Sequence, residues 1–167
     1  MMPRWHIAAS ERGVAALSLR KGVTRRSTPR GEHARARRWR MLAARELRAY
    51  FAGRLRSFST RCDLGALPPF SRAVLNLTAK IPYGETRSYQ WLARRLGRPR
   101  AARAVGNALA RNPLPILIPC HRVVRADGTF DAFVLGPAWK KRLHRLERKF
   151  CKNKSFAGKS RPTSTLT

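Results

Sequence analysis

The stretch Asn112-Pro-Leu-Pro-Ile-Leu-Ile-Pro-Cys-His-Arg-Val-Val124 ends an apolar run in proline and places Cys120 beside His121. The thiolate is the reactive form of cysteine, and at neutral pH it needs a nearby base or positive field. Adjacent side chains of an extended segment point in opposite directions, so a direct contact and a bridging water are both open. A buried, unreactive thiol is the alternative. The pair predicts a nucleophilic cysteine.

A histidine that acts as a base is commonly oriented by a carboxylate. After Gly84 the acidic candidates are Glu85, Asp127, Asp131 and Glu147. Glu147 is favoured because no Lys or Arg lies three or four residues away from it. An ordinary salt bridge within its helix therefore does not account for this carboxylate. The predicted catalytic group is therefore Cys120, His121 and Glu147.

Two helices joined by a short turn are predicted directly upstream of the cysteine segment. The first carries Tyr89, Leu92, Ala93 and Leu96 on one face and ends at Gly97. The second covers about residues 100–111, and its predicted core side consists of Ala101, Ala104, Val105, Ala108 and Leu109. The short turn is typical of a helix-turn-helix unit.

The helix at 100–111 has two further faces that bear on binding. One is polar and carries Arg100, Arg103, Asn107 and Arg111, while the other carries the small residues Ala102, Gly106 and Ala110. Small residues would let the helix backbone approach DNA, and the arginines would contact phosphates or enter the base stack. A solvated basic face is the alternative. The nearby cysteine favours DNA contact.

The flanking segments predict a two-domain organisation. A β-hairpin at 4–9 and 14–20, a loop at 21–33, a helix at 34–52 ended by Gly53 and a strand at 57–60 form an α/β domain at 1–64. Residues 65–69 have the composition of a linker, and 70–151 form the second domain, from a helix at 70–81 to one that begins at Gly136. Residues 152–167 are predicted to be a disordered basic tail.

The composition favours a polyanionic partner. The chain of 167 residues has 37 Lys and Arg against 8 Asp and Glu, a formal charge of +29. Nucleic acid is the predicted partner, and a ribosome-associated protein or a generally basic proteome is the alternative. Three cysteines without Cys-x-x-Cys spacing support neither a disulfide framework nor a zinc site. We expect a cytoplasmic protein without a membrane span or a bound metal.

The run Pro119-Cys-His-Arg-Val-Val124, with its preceding apolar segment, resembles the active-site signature of O6-alkylguanine-DNA alkyltransferases. The similarity extends to Ile81-Pro-Tyr-Gly-Glu-Thr-Arg-Ser-Tyr89, to Ala101-Ala-Arg-Ala-Val-Gly106 and more loosely to Arg48-Ala-Tyr-Phe-Ala-Gly53. The resemblance implies an α+β protein, with an N-terminal ribonuclease-H-like α/β domain and a C-terminal helical domain that contains a winged helix-turn-helix. It also implies a monomer without cofactor, which binds the minor groove and extrudes the alkylated guanine.

The same resemblance implies roles for the residues around the cysteine. Cys120 attacks the alkyl carbon and keeps the group as a thioether, so each molecule acts once. His121 and Glu147 correspond to a water-linked relay that deprotonates the thiol. Asn112 corresponds to the hinge between the recognition helix and the cysteine segment.

Three further residues correspond to groups that handle the DNA. Arg103 matches the arginine that fills the space left by the extruded base. Tyr89 matches the tyrosine that pushes on the phosphate and contacts the guanine, with a core aromatic as its alternative. Val123 matches a pocket residue whose backbone carbonyl reads the guanine amino group.

One segment departs from the family pattern. After the cysteine, a Gly-rich loop with a tyrosine usually closes the base pocket, whereas this chain has Asp131-Ala-Phe-Val-Leu-Gly136. Phe133 stands where the tyrosine is usual, Val134 where a small or polar residue is common, and Leu135 where some members have glycine. The pocket is expected to differ from that of relatives. A non-catalytic protein that flags alkylated DNA and a helix-turn-helix transcription regulator are the rival functions.

Overall fold

The computed structural model describes residues 3–19, 33–130 and 133–152. Its elements are β1 (Trp5–Ser10), β2 (Gly13–Leu19), α1 (Ala34–Phe51), α2 (Pro69–Ala79), β3 (Arg87–Ser88), α3 (Tyr89–Arg95), α4 (Ala102–Ala110), a 3₁₀ turn (Cys120–Arg122), β4 (Val123–Val124) and α5 (Pro137–Lys152). This mixture confirms the α+β class. In the described ranges no helix has the length and apolar character needed to cross a bilayer. The loop predicted at 21–33 falls, except for residue 33, outside the described residues, as does the tail from 153 onward.

The N-terminal hairpin is confirmed. β1 and β2 pair antiparallel, with an irregularity between Ala8 and Ala9. Val14 and Leu17 of β2 are buried, and α1 packs across the hairpin. Gly53, at φ +72°, follows α1, and a Cβ there would collide with the ring of Phe150. Glycine at this position therefore allows both the left-handed turn after the helix and the packing of α5 against it.

The strand predicted from Ser57 to Thr60 is wrong. The buried carboxylate of Glu46 accepts hydrogen bonds from the N–H and hydroxyl groups of both Ser59 and Thr60, at 2.5–3.0 Å. These bonds to a helix side chain replace a sheet ladder. The chain pairs with β2 slightly later, where Val14 N–H donates to the Arg61 carbonyl at 2.8 Å.

The helices of the C-terminal half pack closely on one another. Ser88 caps α3 by accepting a hydrogen bond from Trp91 N–H at 3.0 Å. α4 packs on both α2 and α3. The apolar core includes buried residues from both halves of the chain, among them Leu47, Val74, Leu92, Val105 and Leu143. β3 pairs parallel with β4, which ties the start of α3 to the segment after the cysteine.

The predicted core face of the recognition helix needs one correction. Ala104 is exposed, whereas Ala102 is half-buried and packs against the core. The buried arc of α4 is centred on Val105, and the preceding residue lies about 100° from that centre because a helix has about 3.6 residues per turn. Val105, Ala108 and Leu109 are buried as predicted.

Candidate active site

The side chain of Asn112 holds the segment that carries the cysteine. Its Oδ1 accepts a hydrogen bond from Leu114 N–H at 3.0 Å, and its Nδ2 lies 3.1 Å from the carbonyl oxygen of Ile118. The same Nδ2 lies 3.0 Å from Cys120 Sγ. Asn112 is itself buried. One amide therefore fixes the course of the loop and contacts the sulfur.

Ile116, inside this loop, has an unusual backbone conformation. Its φ is +78°, in the left-handed region that a β-branched residue rarely adopts. Such strain costs about 1–3 kcal/mol and persists only where the surroundings enforce it. Here Asn112 bonds to Leu114 and Ile118 on either side, and Ile118 N–H also donates to the Leu114 carbonyl at 2.9 Å. The loop that presents the sulfur is thus held in one conformation.

The thiol of Cys120 is buried and protonated at neutral pH. Burial raises its pKa to about 11, although the hydrogen bond from Asn112 and the charge of the buried Lys140 act in the opposite direction. An isolated thiol of this kind is a poor nucleophile. Reaction at neutral pH requires a base that removes the proton.

His121 has the properties of that base. Its Nε2 lies 2.8 Å from Glu147 Oε1, and both side chains are buried. Burial lowers the pKa of His121 to about 4 in spite of the carboxylate, so the resting imidazole is neutral. Because Nε2–H must donate to the carboxylate, the lone pair is assigned to Nδ1. Among the described residues Nδ1 has no hydrogen-bond partner, so it is able to accept a proton.

Glu147 is the centre of a larger buried network. Arg122 donates through Nη2 to Oε1 at 2.9 Å and through Nε to Oε2 at 3.1 Å. Tyr50 OH donates to Oε1 at 2.7 Å, and Gly84 N–H donates to Oε2 at 2.9 Å. Burial alone would raise the pKa of Glu147, but hydrogen bonds from His121 and Arg122, together with the charge of Arg122, outweigh it and hold the pKa well below the usual range. The group is therefore a carboxylate.

Three members of this network were not predicted from the sequence. Tyr50 has the helical spacing of an ordinary core aromatic, and Gly84 lies in a Pro-Tyr-Gly run of the kind that ends a helix. Arg122 is one of 37 Lys and Arg residues, and the available signal was its position two residues after the cysteine. The other carboxylate candidates lie elsewhere: Glu85 pairs with Arg87 on the surface, Asp127 bonds within its own turn, and Asp131 is outside the described residues.

Most of the predicted DNA contacts lie on or beside α4, and Tyr89 is the first residue of α3. Arg100, Arg103, Asn107 and Arg111 are all exposed on or beside α4. Tyr89 is half-buried, and its ring lies 3.8 Å from the position that a Cβ on Gly106 would take. Lys140 Nζ lies 5.8 Å from the centre of the same ring. Contact of these residues with DNA remains a prediction.

The divergent loop lies beside the histidine. The ring of Phe133 meets the imidazole of His121 edge to face at 6.3 Å. Val134 is exposed, whereas Leu135 packs against the core. Val123, the predicted pocket residue, is buried.

The chain is similar to known proteins that act on methylated DNA. Residues 69–149 match the family model described as 6-O-methylguanine DNA methyltransferase, DNA binding domain. A methylated-DNA-protein-cysteine methyltransferase from Methanosarcina barkeri is 41% identical over 144 residues, a match that covers 84% of this chain and 88% of that protein. The chain belongs to the methylated-DNA-protein-cysteine methyltransferase family. The resemblance drawn from the sequence is confirmed.

Other methyltransferases of this family extend the comparison. One from Mycolicibacterium paratuberculosis is 46% identical over 107 residues, which are 64% of each chain. The crystal structure of Mycobacterium tuberculosis OGT in complex with DNA has a TM-score of 0.72 at 35% identity and covers 87% of both chains. The fold that positions Cys120 is thus one seen in a DNA-bound relative.

Proposed function

We propose that this methyltransferase repairs double-stranded DNA by moving the alkyl group of O6-alkylguanine, methyl above all, to Cys120. The sulfur–carbon bond forms as the bond between the alkyl carbon and O6 breaks, and the guanine leaves with that electron pair. The thiol proton passes to His121, and the guanine takes up a proton to become neutral. The thioether is stable, so each molecule acts once. The buried group of Cys120, Asn112, His121 and Glu147 is the observation that carries this proposal.

The proton path follows from the charges in the site. We place a water between Cys120 Sγ and His121 Nδ1, because Asn112 is the partner that the sulfur contacts and Nδ1 is an unbonded acceptor in the described structure. The imidazolium formed on transfer lies 2.8 Å from a carboxylate that is already ionised. Its charge is compensated without rearrangement, which lowers the cost of proton removal.

The DNA is placed against α4, with its minor groove facing the small residues Ala102 and Gly106. Arg103 would fill the space left by the extruded guanine, and Tyr89 would press on the adjacent phosphate. The exposure of the polar face of α4 supports this placement. Because one chain supplies the whole relay, the protein is inferred to act as a monomer.

The two-part division of the chain is kept within this proposal. Residues 70–151 are inferred to be a winged helix-turn-helix domain, because α3 and α4 are joined by a short turn and pack on α2. Residues 1–64 are inferred to be a reduced ribonuclease-H-like domain, a hairpin covered by one helix.

Substitution of Arg103 by alanine is expected to slow the reaction with duplex DNA much more than the reaction with a free base. The variant should react at least tenfold more slowly with duplex O6-methylguanine, because replacing lost stacking is worth roughly a few kcal/mol in base flipping. Free O6-benzylguanine needs no flipping and should react at nearly the parental rate. Single-turnover rates on both substrates measure the ratio. Arg100→Ala is the matched control, since it removes an exposed charge and should weaken binding to any DNA. Equal losses on the two substrates would remove the proposed role of Arg103.

The divergent loop is expected to restrict the alkyl group. Val134 and Leu135 add bulk and stiffness where the family pattern usually has a small, flexible backbone, so the wild type should prefer O6-methylguanine to O6-benzylguanine. Combining Phe133→Tyr, Val134→Ser and Leu135→Gly should relax that preference by about tenfold. Competition kinetics give the ratio, and thermal unfolding checks the loss of Leu135 packing. A wild type that consumes both substrates equally, or an unchanged ratio in the variant, would contradict this expectation.

Mass spectrometry of the intact protein tests the proposed function directly. After incubation with an O6-methylguanine duplex, the protein should gain the mass of one methyl group, located on the peptide that contains Cys120. An unmodified protein that still binds the lesion would instead support a flagging role. Binding governed by base sequence, without regard to the lesion, would support a transcription regulator.

A further inference from the structure

The carboxylate of Glu147 receives four donors from three separate segments of the chain. His121 and Arg122 come from the 3₁₀ turn, Gly84 from the turn after α2, and Tyr50 from α1. Tyr50 lies outside residues 69–149, the range that the family model matches. The N-terminal half therefore supplies a group that touches the proposed proton relay.

We propose that Tyr50 is a positioning residue of this relay. Its hydroxyl stabilises the negative charge of Glu147 by a hydrogen bond, and this keeps His121 a neutral base. The proposal rests on the proposed function for its consequence in catalysis. The arrangement of Tyr50, His121 and Glu147 is observed directly in the structure.

The side chain of Tyr50 is held in place by its hydrogen bond, its burial and its ring packing. Its hydroxyl donates to Oε1 at 2.7 Å, the same oxygen that lies 2.8 Å from His121 Nε2, and it lies 3.5 Å from that nitrogen. The side chain is fully buried. Its ring packs against three others, those of Phe51, Phe58 and Tyr83, with centroid distances of 5.4–5.9 Å. Burial and the neighbouring carboxylate raise the pKa of Tyr50 above its ordinary value, so the phenol remains a donor.

The charges around His121 explain why this donor matters. Glu147 favours the protonated imidazole, whereas burial, Arg122 and His144 oppose it. His144 faces the same turn, and its Nε2 donates to the His121 carbonyl at 2.6 Å. The charge of Lys140, on α5, lowers the pKa of both Cys120 and His144. Tyr83, in the turn after α2, faces Glu147.

Removal of the Tyr50 hydroxyl would leave Oε1 with one donor fewer. The carboxylate would then interact more strongly with the remaining proton on Nε2, which stabilises the imidazolium. His121 would be protonated at a higher pH in the resting protein. A protonated histidine cannot accept the thiol proton, so transfer would begin to fail at a higher pH as the solution is acidified.

The test is the titration of His121 in Tyr50→Phe, followed by NMR on protein labelled with ¹⁵N-histidine. Loss of a hydrogen bond to a charged group should move the pKa of His121 upward by about one unit. Tyr83→Phe is the matched control. Its hydroxyl is buried beside the same network and has no hydrogen-bond partner in the described part of the chain, so its removal should leave the titration unchanged.

The acid limb of the pH–rate profile for methyl transfer should move in the same direction in Tyr50→Phe alone. An unchanged titration, even with a lower melting temperature, would overturn the proposal, because a purely structural role predicts that result. If Tyr50→Phe does not fold, 3-fluorotyrosine at position 50 provides a more acidic donor, and it should lower the pKa of His121; no shift would again overturn it. A wild type that transfers no methyl would refute the proposed function, while the titration would still decide the role of Tyr50.

Discussion

Cys120→Ser is expected to abolish methyl transfer and to leave binding of lesion-containing DNA nearly unchanged. A serine hydroxyl is far less acidic than a thiol, and a relay based on a neutral histidine cannot ionise it sufficiently. The serine oxygen can still interact with Asn112, which lies 3.0 Å from the sulfur in the wild type, so the loop should keep its course. The proposed DNA contacts come from α4, the residues beside it and Tyr89 of α3. Intact mass after incubation measures transfer, and fluorescence anisotropy with the same duplex measures binding.

The other two cysteines provide the controls for this experiment. Burial raises the pKa of Cys62 to about 12, and Cys151 is exposed on α5. Cys62→Ser and Cys151→Ser should therefore transfer methyl at the parental rate. The assignment of the nucleophile would be wrong if Cys120→Ser transferred at that rate, or if the methyl group appeared on Cys62 or Cys151.

The elements predicted well are those with a local signal. The hairpin, α1 and the three helices before the cysteine follow from periodic apolar residues and from glycine and proline at their ends. The scarcity of carboxylates leaves four candidates after Gly84, and Glu147 is favoured among them because it has no Lys or Arg three or four residues away; the structure places it 2.8 Å from His121. A rare residue type carries more information about pairing than a common one.

The errors and omissions arise from long-range contacts. The segment at 57–60 is bonded to Glu46 instead of forming a strand, and no local pattern signals that carboxylate as its partner. Tyr50 and Gly84 lie 97 and 63 positions from Glu147 in the sequence. Their spacing fits an ordinary core position and an ordinary turn, so only the assembled structure identifies them as part of the site.

Glu147→Gln is expected to affect both stability and transfer. The guanidinium of Arg122 would remain buried without its anion, and loss of one partner of a buried ion pair costs about 3 kcal/mol or more. Transfer should also slow strongly at neutral pH. Glutamine would neither orient His121 in the same way nor compensate the imidazolium formed when the thiol is deprotonated. Chemical denaturation measures the loss of stability. Single-turnover rates measure the loss of transfer, over roughly pH 6 to pH 10, a range that spans the ordinary thiol pKa of ~8.5.

The pH dependence of this variant follows from the buried thiol. Without the relay, transfer depends on spontaneous ionisation of Cys120, so the rate should rise with pH. An ordinary thiol would restore it near ~8.5. Burial raises the pKa of Cys120 to about 11, so recovery should be displaced to more alkaline solution and be incomplete at pH ~9. Glu85→Gln is the matched control, because its exposed pair with Arg87 contributes little to stability and lies on the surface. A Glu147→Gln variant with the parental rate and pH profile would remove this carboxylate from the mechanism, whereas normal stability with slow transfer would confine its role to the proton relay.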